Sequence, residues 1–359
     1  MPATRDPVLK QGDVLEGKYV LRDRIGEGGM GSVFLADQPA LERTVAIKVL
    51  HPELVACPAQ IRRIREEAIA ASHVRNPHCV GVIDCSVLPD GAPYIVMQHV
   101  PGRPLGRIIA EEPIPLARAV ELVLQILNAL GATHDSGIIH ADVKSDNFLV
   151  EVTRDGDHVT LIDFGLARFE GSPACVDLED GKVMVSGTPE YMAPEVVRGA
   201  PPIRASDLYG VGVILYEILT GTTPFGGGTT MEIMLRHARD IVVPPSLRRP
   251  DRDIPLALDQ VVLRALAKRP DARFPDAATF AQALRLAAST SQPSPSTPVR
   301  REDHSRTESP TRDLGTALPR RGIARGSDHS SADRGRRRKE HRFEIGEALA
   351  RGNVRGDVA

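Results

Sequence analysis

Cysteine is scarce in this sequence, and the cysteines present are not spaced for cross-linking. Only four occur among 359 residues, and no two of them form a Cys-x-x-Cys pair. They are Cys57, Cys79, Cys85 and Cys175. A disulfide framework or a cysteine metal site requires paired, closely spaced thiols. The sequence therefore predicts reduced thiols.

Long apolar segments are lacking as well. The first residues, MPATRDPVLK, contain no apolar stretch of the signal-peptide kind. The longest apolar run, 208–221, is interrupted by Glu217 and is shorter than the ~20 residues that a helix needs to span a bilayer. We expect a buried core helix there, no membrane-spanning segment and a cytoplasmic protein.

Charge of one sign does not dominate the chain, although its distribution is uneven. The formal net charge is −2, with 42% apolar and 26% charged residues, which is ordinary for a globular protein. Residues 288–359 contain 15 Lys and Arg against 10 Asp and Glu. An acidic body with a basic tail is therefore expected.

Short β-branched segments separated by turn residues occupy the first hundred positions. They predict five strands, YVLRDRI, SVFLA, TVAIKVL, CVGVIDC and YIVMQHV, within 19–100. One helix is predicted over 60–74. Helical spacing prevails further on and predicts helices over 116–134, 206–220, 230–238, 255–267 and 276–287.

Turn and cap signals complete this pattern. Asp155-Gly156 predicts a hairpin, and Ser206 and Asp276 stand where helix N-caps are expected. A strand-rich part followed by a helix-rich part predicts an α+β fold with a cleft between two lobes. The expected organisation is an extension over 1–18, a domain over 19–287 with lobes 19–100 and 101–287, and a tail over 288–359.

A glycine-rich segment lies between the first two predicted strands. In IGEGGMGSV, residues 25–33, Gly26, Gly28 and Gly31 form a G-x-G-x-x-G pattern. Dinucleotide-binding folds have a helix after this pattern, whereas a strand follows it here. Two flanking strands predict a flexible β-hairpin whose glycines let backbone N–H groups approach phosphate oxygens.

An apolar strand ends in a charged residue at Lys48, in the string VAIK. A buried ammonium group is costly without a counter-charge. One interpretation is a lysine that reaches solvent; the other is a cation for nucleotide phosphates, held by a carboxylate of the next helix. Glu67 is the favoured carboxylate, and Glu66 is the alternative.

Two further strings concentrate polar residues. IIHADVKSDN, 138–147, contains Asp142, Lys144 and Asn147, and IDFG, 162–165, places Asp163 after a predicted buried strand. A carboxylate at a strand end beside a cleft suits a hard cation such as Mg²⁺.

The ordered set G-x-G-x-x-G-x-V, VAIK, H-x-D-x-K-x-x-N, DFG and APE resembles the protein kinase family. The strings GEGGMGSVFLA, YIVMQHV and GTPEYMAPE are further similar to bacterial serine/threonine kinases of eukaryotic type. The resemblance covers residues 19–287. It implies a two-lobed protein-kinase fold with a β-rich N-lobe, a helical C-lobe and an ATP cleft between them. The implied reaction is transfer of the ATP γ-phosphate to Ser/Thr hydroxyls of proteins, including autophosphorylation.

Four catalytic residues follow from the resemblance. Asp142 corresponds to the base that accepts the proton of the substrate hydroxyl, and Lys144 to the cation that neutralises the γ-phosphate. Lys48 would bind the α- and β-phosphates, positioned by Glu67.

ATP and Mg²⁺ are the implied cofactors, with Mn²⁺ as an alternative metal. Asn147 and Asp163 would hold the metal. Glycines would cover the phosphates, apolar residues would enclose adenine, and backbone groups after the last strand of the N-lobe would bind the base. The implied ATP-site residues are Ile25, Gly26, Glu27, Gly28, Gly29, Met30, Gly31, Ser32, Val33, Ala46, Lys48, Met97, Gln98, Val100 and Leu149.

The resemblance also implies supporting contacts, which a catalytically inactive copy would need equally. They are His140 with Phe164 in an apolar column, Asp207 with the catalytic-loop backbone, an ion pair of Glu195 with Arg273, and Thr188 with Asp142 and Lys144.

The match departs at position 141, where alanine replaces the arginine of many kinases. In those kinases the arginine contacts a phosphate on the activation loop. Ser172, Ser186 and Thr188 are the hydroxyls of the loop before Tyr191. We therefore expect a non-RD kinase, with HAD instead of HRD, that does not depend on loop phosphorylation. A pseudokinase or nucleotide-binding scaffold is the alternative.

The tail is rich in Ser, Thr, Pro and Arg, a composition that predicts disorder. RGRRRK, 334–339, is interpreted as solubilising rather than as a nucleic-acid contact, because no aromatic residues are interleaved. FEIGEALA, 343–350, is a candidate docking helix weakened by Gly346. Protein substrates are the expected partners, with no membrane; a homodimer through the N-lobe is left open.

Overall fold

The computed structural model describes residues 9–28, 31–51, 69, 71–89, 91–164, 168–170, 177–179, 182–185, 187–289 and 343–344. The chain divides into one compact unit of residues 1–292 and 339–359 and a second unit of residues 293–338. All described residues belong to the first unit. The second unit, most of the helix predicted over 60–74 and the candidate loop hydroxyls Ser172 and Ser186 lie outside the described residues.

An antiparallel sheet forms the small lobe, and its strands are ordered β1-β2-β3-β4-β6-β5. The strands are β1 (Val14–Leu15), β2 (Tyr19–Gly28), β3 (Gly31–Gln38), β4 (Arg43–Leu50), β5 (Val82–Val87) and β6 (Pro93–Gln98). Apolar residues of these strands, among them Tyr19, Phe34 and Ile47, build one core because alternate positions of a strand share a face. The five predicted strands are confirmed. The short β1 was not predicted.

One predicted strand begins later than its sequence indicates. CVGVIDC starts at Cys79, but β5 starts at Val82. Cys79 is instead buried and forms an isolated bridge with Leu161 of the large lobe. Cys79 and Cys85 are both free thiols, as predicted.

The large lobe is mainly helical, and its core surrounds the buried helix Arg204–Thr220. Its other helices of seven or more residues are Leu105–Glu111, Leu116–Asp135, Thr230–Arg239, Leu256–Ala265 and Ala277–Ser289. Short helices cover Pro194–Val197 and Pro245–Arg248. The five helices predicted for this part are confirmed with small shifts of their ends.

The helix Leu116–Asp135 is long and apolar enough to cross a membrane by length and composition. Ten of its residues are nevertheless buried in the protein, including Leu122, Val123 and Ile126. A helix whose apolar face packs on neighbouring helices is a core helix, and this one packs in the core of the large lobe.

Short strands after the small lobe form two small sheets. β7 (Arg103–Pro104), β9 (Phe148–Thr153) and β10 (Gly156–Leu161) form one sheet, and β8 (Ile138–Ile139) pairs with β11 (Arg168–Phe169). The predicted hairpin is confirmed, but its two turn residues are Arg154 and Asp155. Gly156 is the first residue of β10 and has a φ of 117°, which favours glycine.

Two local predictions need correction or qualification. Ser206 is not an N-cap: the N-cap is Ile203, and the Ser206 hydroxyl accepts from the Ile203 N–H at 3.0 Å from inside the first turn. Asp276 does cap its helix, accepting from Thr279 N–H at 2.6 Å. The candidate docking helix 343–350 is wrong at its start, because Phe343–Glu344 is a strand, β14. β12 (Asp177–Glu179), β13 (Lys182–Val185) and β14 form a fourth sheet.

Candidate active site

The segment between β8 and β9 brings a carboxylate and two polar side chains together. Lys144 Nζ lies 2.7 Å from Asp142 Oδ2. The Thr188 hydroxyl donates to Asp142 Oδ1 at 3.1 Å and accepts from Lys144 Nζ at 3.1 Å. Asn147 donates to the Asp142 carbonyl at 2.8 Å. The predicted contact of Thr188 with Asp142 and Lys144 is confirmed, and a hydroxyl placed here would meet a proton acceptor beside a cation.

A left-handed backbone conformation interrupts this segment at Ala141, whose φ is 67°. For a residue with a Cβ this conformation costs about 1–2 kcal/mol. Buried Asp207 holds it: Oδ1 accepts from the Ala141 N–H and Oδ2 from the His140 N–H, both at 2.8 Å. His134 Nε2 also lies 2.8 Å from Oδ2. The predicted support of the catalytic-loop backbone by Asp207 is confirmed.

An ion pair joins the two lobes across the cleft. Lys48 Nζ lies 2.7 Å from Asp163 Oδ1, and the two side chains are 11% and 34% exposed. Burial raises the pKa of Asp163, but the charge and hydrogen bond of Lys48, aided by His140 and Lys144, outweigh it and lower that pKa below its usual 3.8. Asp163 is therefore an ionised carboxylate at neutral pH. Glu67, the expected partner of Lys48, lies outside the described residues.

The oxygen ligands beside the cleft fit a hard divalent cation whose coordination is completed by phosphate oxygens. No group of three or more His, Cys, Asp and Glu side chains converges on one point within the described part of the chain. Mg²⁺ does not require one, because it is commonly held by one or two carboxylates with substrate phosphates and water. Asp163 supplies such a carboxylate. The side-chain amide of Asn147 donates a hydrogen bond to the Asp142 carbonyl, so its oxygen is the end available to a cation.

The sequence model of the family described as Protein kinase domain matches residues 19–285. The chain belongs to the protein kinase family. The Asp142–Lys144 pair and the Lys48–Asp163 pair thus lie in a kinase domain.

Several bacterial kinases are similar to this kinase domain. Serine/threonine-protein kinase pkn3 of Myxococcus xanthus is 39% identical over 281 residues, which are 76% of this chain and 50% of that protein. Serine/threonine-protein kinase PknB of Mycobacterium leprae is 39% identical over 268 residues, 74% of this chain and 42% of that protein. The chain thus spans about half the length of the curated relatives, or less.

A solved kinase domain has the same fold. The crystal structure of the Mycobacterium tuberculosis PknI kinase domain is 26% identical, with a TM-score of 0.59, and the match covers 78% of this chain and 99% of that one. The two-lobed α+β kinase fold predicted from the motifs is confirmed.

The glycine-rich hairpin of the kinase domain consists of β2 and β3, with Gly28 opposite Gly31 and Glu27 opposite Ser32. Gly29 and Met30 at its tip lie outside the described residues. A Cβ on Gly28 would have nothing within 4 Å, whereas a Cβ on Gly31 would overlap the Val49 carbonyl oxygen. Gly28 thus leaves room above the cleft, while Gly31 is required by close packing of β3 on β4.

The candidate adenine pocket combines buried and partly exposed apolar residues. Ala46 of β4 is buried and stands opposite Met97 of β6 in the strand register. The other residues predicted to enclose adenine, Ile25, Val33 and Leu149, are partly exposed or exposed. Gln98 donates its backbone N–H to the Gly81 carbonyl at 2.8 Å. A base in the pocket would therefore have to use other backbone groups of the 98–100 segment.

Two structural contacts predicted for the kinase domain are confirmed. Arg273 and Glu195 form a buried bidentate ion pair, with N–O distances of 2.8 and 2.7 Å. The rings of His140 and Phe164 lie 5.6 Å apart. The ion pair joins residues 78 positions apart in the large lobe, and the ring contact packs the catalytic segment against the segment that carries Asp163.

A buried polar network beneath the site was not predicted. The Tyr191 hydroxyl donates to Glu217 at 2.6 Å and lies 2.8 Å from the Ser145 hydroxyl. It connects the loop that carries Thr188 to the catalytic segment. Glu217 was the signal for it, since a carboxylate in a buried apolar helix must have a hydrogen-bonding partner.

Proposed function

We propose that this chain is a serine/threonine protein kinase that transfers the γ-phosphate of ATP to Ser or Thr hydroxyls of proteins. The observation that carries the proposal is the three-way contact of Asp142, Lys144 and Thr188. Membership of the protein kinase family and relatives named as serine/threonine-protein kinases support it.

In the proposed reaction each charged side chain of the site has a role of its own. Asp142 accepts the proton of the acceptor hydroxyl and orients its oxygen toward the γ-phosphorus. Lys144 neutralises charge on the transferred group, and Lys48 binds the α- and β-phosphates, positioned by Glu67. The bond from the γ-phosphorus to the ADP oxygen breaks as the new ester forms. Asn147 and Asp163 would hold Mg²⁺ or Mn²⁺, which supplies charge neutralisation on the phosphates.

The proposed ATP site consists of the glycine-rich hairpin, the Ala46–Met97 pocket and the 98–100 segment. The domain boundaries, 19–287 with an extension before and a tail after, and a cytoplasmic location belong to the same proposal. Autophosphorylation is included, with tail hydroxyls such as Ser294, Thr297 and Ser309 as candidate acceptors.

Independence from loop phosphorylation is proposed from position 141. Ala141 has no side-chain donor for a phosphate, and Asp207 holds its backbone without any modified residue. Replacement of Ser172 and Ser186 by Ala together should leave the rate of phosphate transfer nearly unchanged. A large loss of rate would contradict the proposal.

A pseudokinase is the second candidate, and one variant separates it from the enzyme. Asp142→Asn removes the proton acceptor and keeps its shape, so phosphate transfer to protein and autophosphorylation should fall by about two orders of magnitude or more. Asp155→Asn, in the exposed turn of β9–β10, is the matched control and should keep full activity. Equal activity of parent and Asp142→Asn would refute the enzyme proposal.

A further inference from the structure

The late strand β14 pairs with β13, which precedes Thr188 of the proposed site for the acceptor hydroxyl. β13 is the central strand of a three-stranded sheet, with β12 on one side and β14 on the other. Both pairings are antiparallel. In the second, Met184 stands opposite Glu344 and Val185 opposite Phe343. A strand far along the sequence therefore occupies an edge that the β12–β13 hairpin alone would leave open.

The residue pattern agrees with this register. Along a strand, alternate positions fall on the same face, and directly opposite residues share a face. By that rule four apolar residues occupy one face of the sheet: Leu178, Val183, Val185 and Phe343. A shift of β14 by one position would bring Arg342 or Glu344 into this apolar row. The register observed is therefore the one in which the face stays apolar.

The location of β13 gives the pairing a functional meaning. Val185 precedes Thr188 by three positions in the sequence, and Thr188 hydrogen-bonds Asp142. Because the pairing is antiparallel, β14 begins opposite the end of β13 that leads to Thr188. The occupied edge thus continues directly toward the proposed acceptor site.

We propose that the edge of β13 opposite β12 is a docking surface for an extended peptide, and that its resident occupant is the segment of this chain around Phe343 and Glu344. A sheet edge pairs with one added strand at a time. A protein substrate that extends past Thr188 along the same edge therefore competes with the tail. This inference rests on the proposed kinase activity only for its effect on substrate, not for the docking itself.

A double variant of the full chain removes the docked strand. Successive N–H groups of a strand point to opposite sides, so in Phe343→Pro/Glu344→Pro one of the two lost N–H groups is the one that faces β13. Gly356→Pro/Asp357→Pro, outside the paired residues, is the matched control, since it also adds two prolines and removes one carboxylate. Phe343→Leu keeps an apolar residue in the row and should retain docking.

Hydrogen exchange of the amides of Lys182–Val185, measured without ATP, reports docking directly. Exchange should be faster in the double-proline variant than in the parent, the control and Phe343→Leu. Added peptide KEHRFEIGEA, the sequence of 339–348, should restore the slower exchange to that variant. Identical exchange in parent and variant, or no effect of the peptide, would overturn the docking.

Steady-state kinetics report competition. The KM for a protein substrate should fall about fivefold or more in the double-proline variant, since a net hydrogen bond or two no longer opposes substrate binding. The KM for ATP should stay unchanged. Faster exchange with an unchanged protein KM would overturn competition. A parent chain without any transfer activity would refute the proposed function, while the exchange result would still decide the docking.

Discussion

The buried ion pair of Glu195 and Arg273 allows a quantitative test of how the large lobe is held together. The Arg273 side chain is fully buried and that of Glu195 is 10% exposed. Glu195→Gln keeps the shape of the side chain, removes its charge and turns an amide donor toward the guanidinium group. Arg273 then remains as a buried cation without a full counter-charge.

The expected cost follows from this burial. Breaking a buried ion pair by removing one partner lowers the free energy of unfolding by about 3–5 kcal/mol. For a domain of this size each kcal/mol corresponds to about 2–4 °C in Tm, so a fall of about 6–20 °C is expected. Arg273→Met should cost more, because the carbonyl oxygens of Ala205 and Ala267 also lose donors at 2.8 Å.

The pair also predicts a pH dependence. Burial raises the pKa of Glu195, but the hydrogen bonds and charge of Arg273 outweigh it, so the pKa is lowered from its usual 4.5. The stability that the carboxylate contributes is therefore fully present above about pH 4.5 and is lost as the pH falls through the lower, folded-state pKa. The difference between parent and Glu195→Gln should be largest at neutral pH and should shrink in acid.

Thermal unfolding of parent and variants at pH 7 and at pH 4 is the assay. The matched control is Asp271→Asn, which breaks the exposed pair of Arg269 and Asp271, whose side chains are 81% and 66% exposed. Exposed pairs contribute little because water screens them, so its Tm should stay unchanged. The reasoning is refuted if Glu195→Gln unfolds at the same temperature as Asp271→Asn.

Three further predictions concern single positions. Ala141→Gly should raise the free energy of unfolding by about 0.5–1 kcal/mol in urea titration. Glycine removes a left-handed strain of about 1–2 kcal/mol, and the greater freedom of glycine in the unfolded chain offsets part of that gain. A less stable variant would contradict this. Gly31→Ala should destabilise the fold by about 1–3 kcal/mol in the same titration through overlap with Val49, while Gly28→Ala should not. Equal stability of those two variants would argue against the packing role of Gly31. Burial, aided by the charge of Lys268, lowers the pKa of His237 to about 3. The free energy of unfolding should therefore decline by about 1.4 kcal/mol per pH unit below pH 6.5. His237→Gln should flatten that slope, and an unchanged slope would exclude His237 as its cause.

Much of the site could be predicted because its motifs are local. The strand before Lys48, the turn after the strand that precedes Asp163 and the polar run 140–147 each place their side chains through short-range geometry. Asp207 and Glu217 are carboxylates within an apolar helix, a pattern that requires hydrogen-bonding partners. The contact of Asp207 with the catalytic-loop backbone was predicted from the family resemblance. Its contact with His134 and the contact of Glu217 with Tyr191 were not predicted.

Other features depended on neighbours that no local pattern identifies. Ser206 has the residue type of an N-cap, yet the chain enters the helix one turn earlier and its hydroxyl is used within the first turn. Gly31 was expected to serve phosphate binding, but the strand next to it in space leaves no room for a Cβ. FEIGEALA has a helical composition in part, and pairing with β13 makes its first two residues a strand.

The sequence by itself determined the order of strands and helices, the kinase motifs and the charges of the catalytic residues, because period, turn chemistry and residue type act over a few positions. Only the tertiary structure decided that Lys48 pairs with Asp163, that Asp207 holds a left-handed Ala141 and that β14 lies against β13. These contacts join residues tens to more than a hundred positions apart. Their energies depend on distance and burial in space, which the packed fold creates and a linear pattern does not contain.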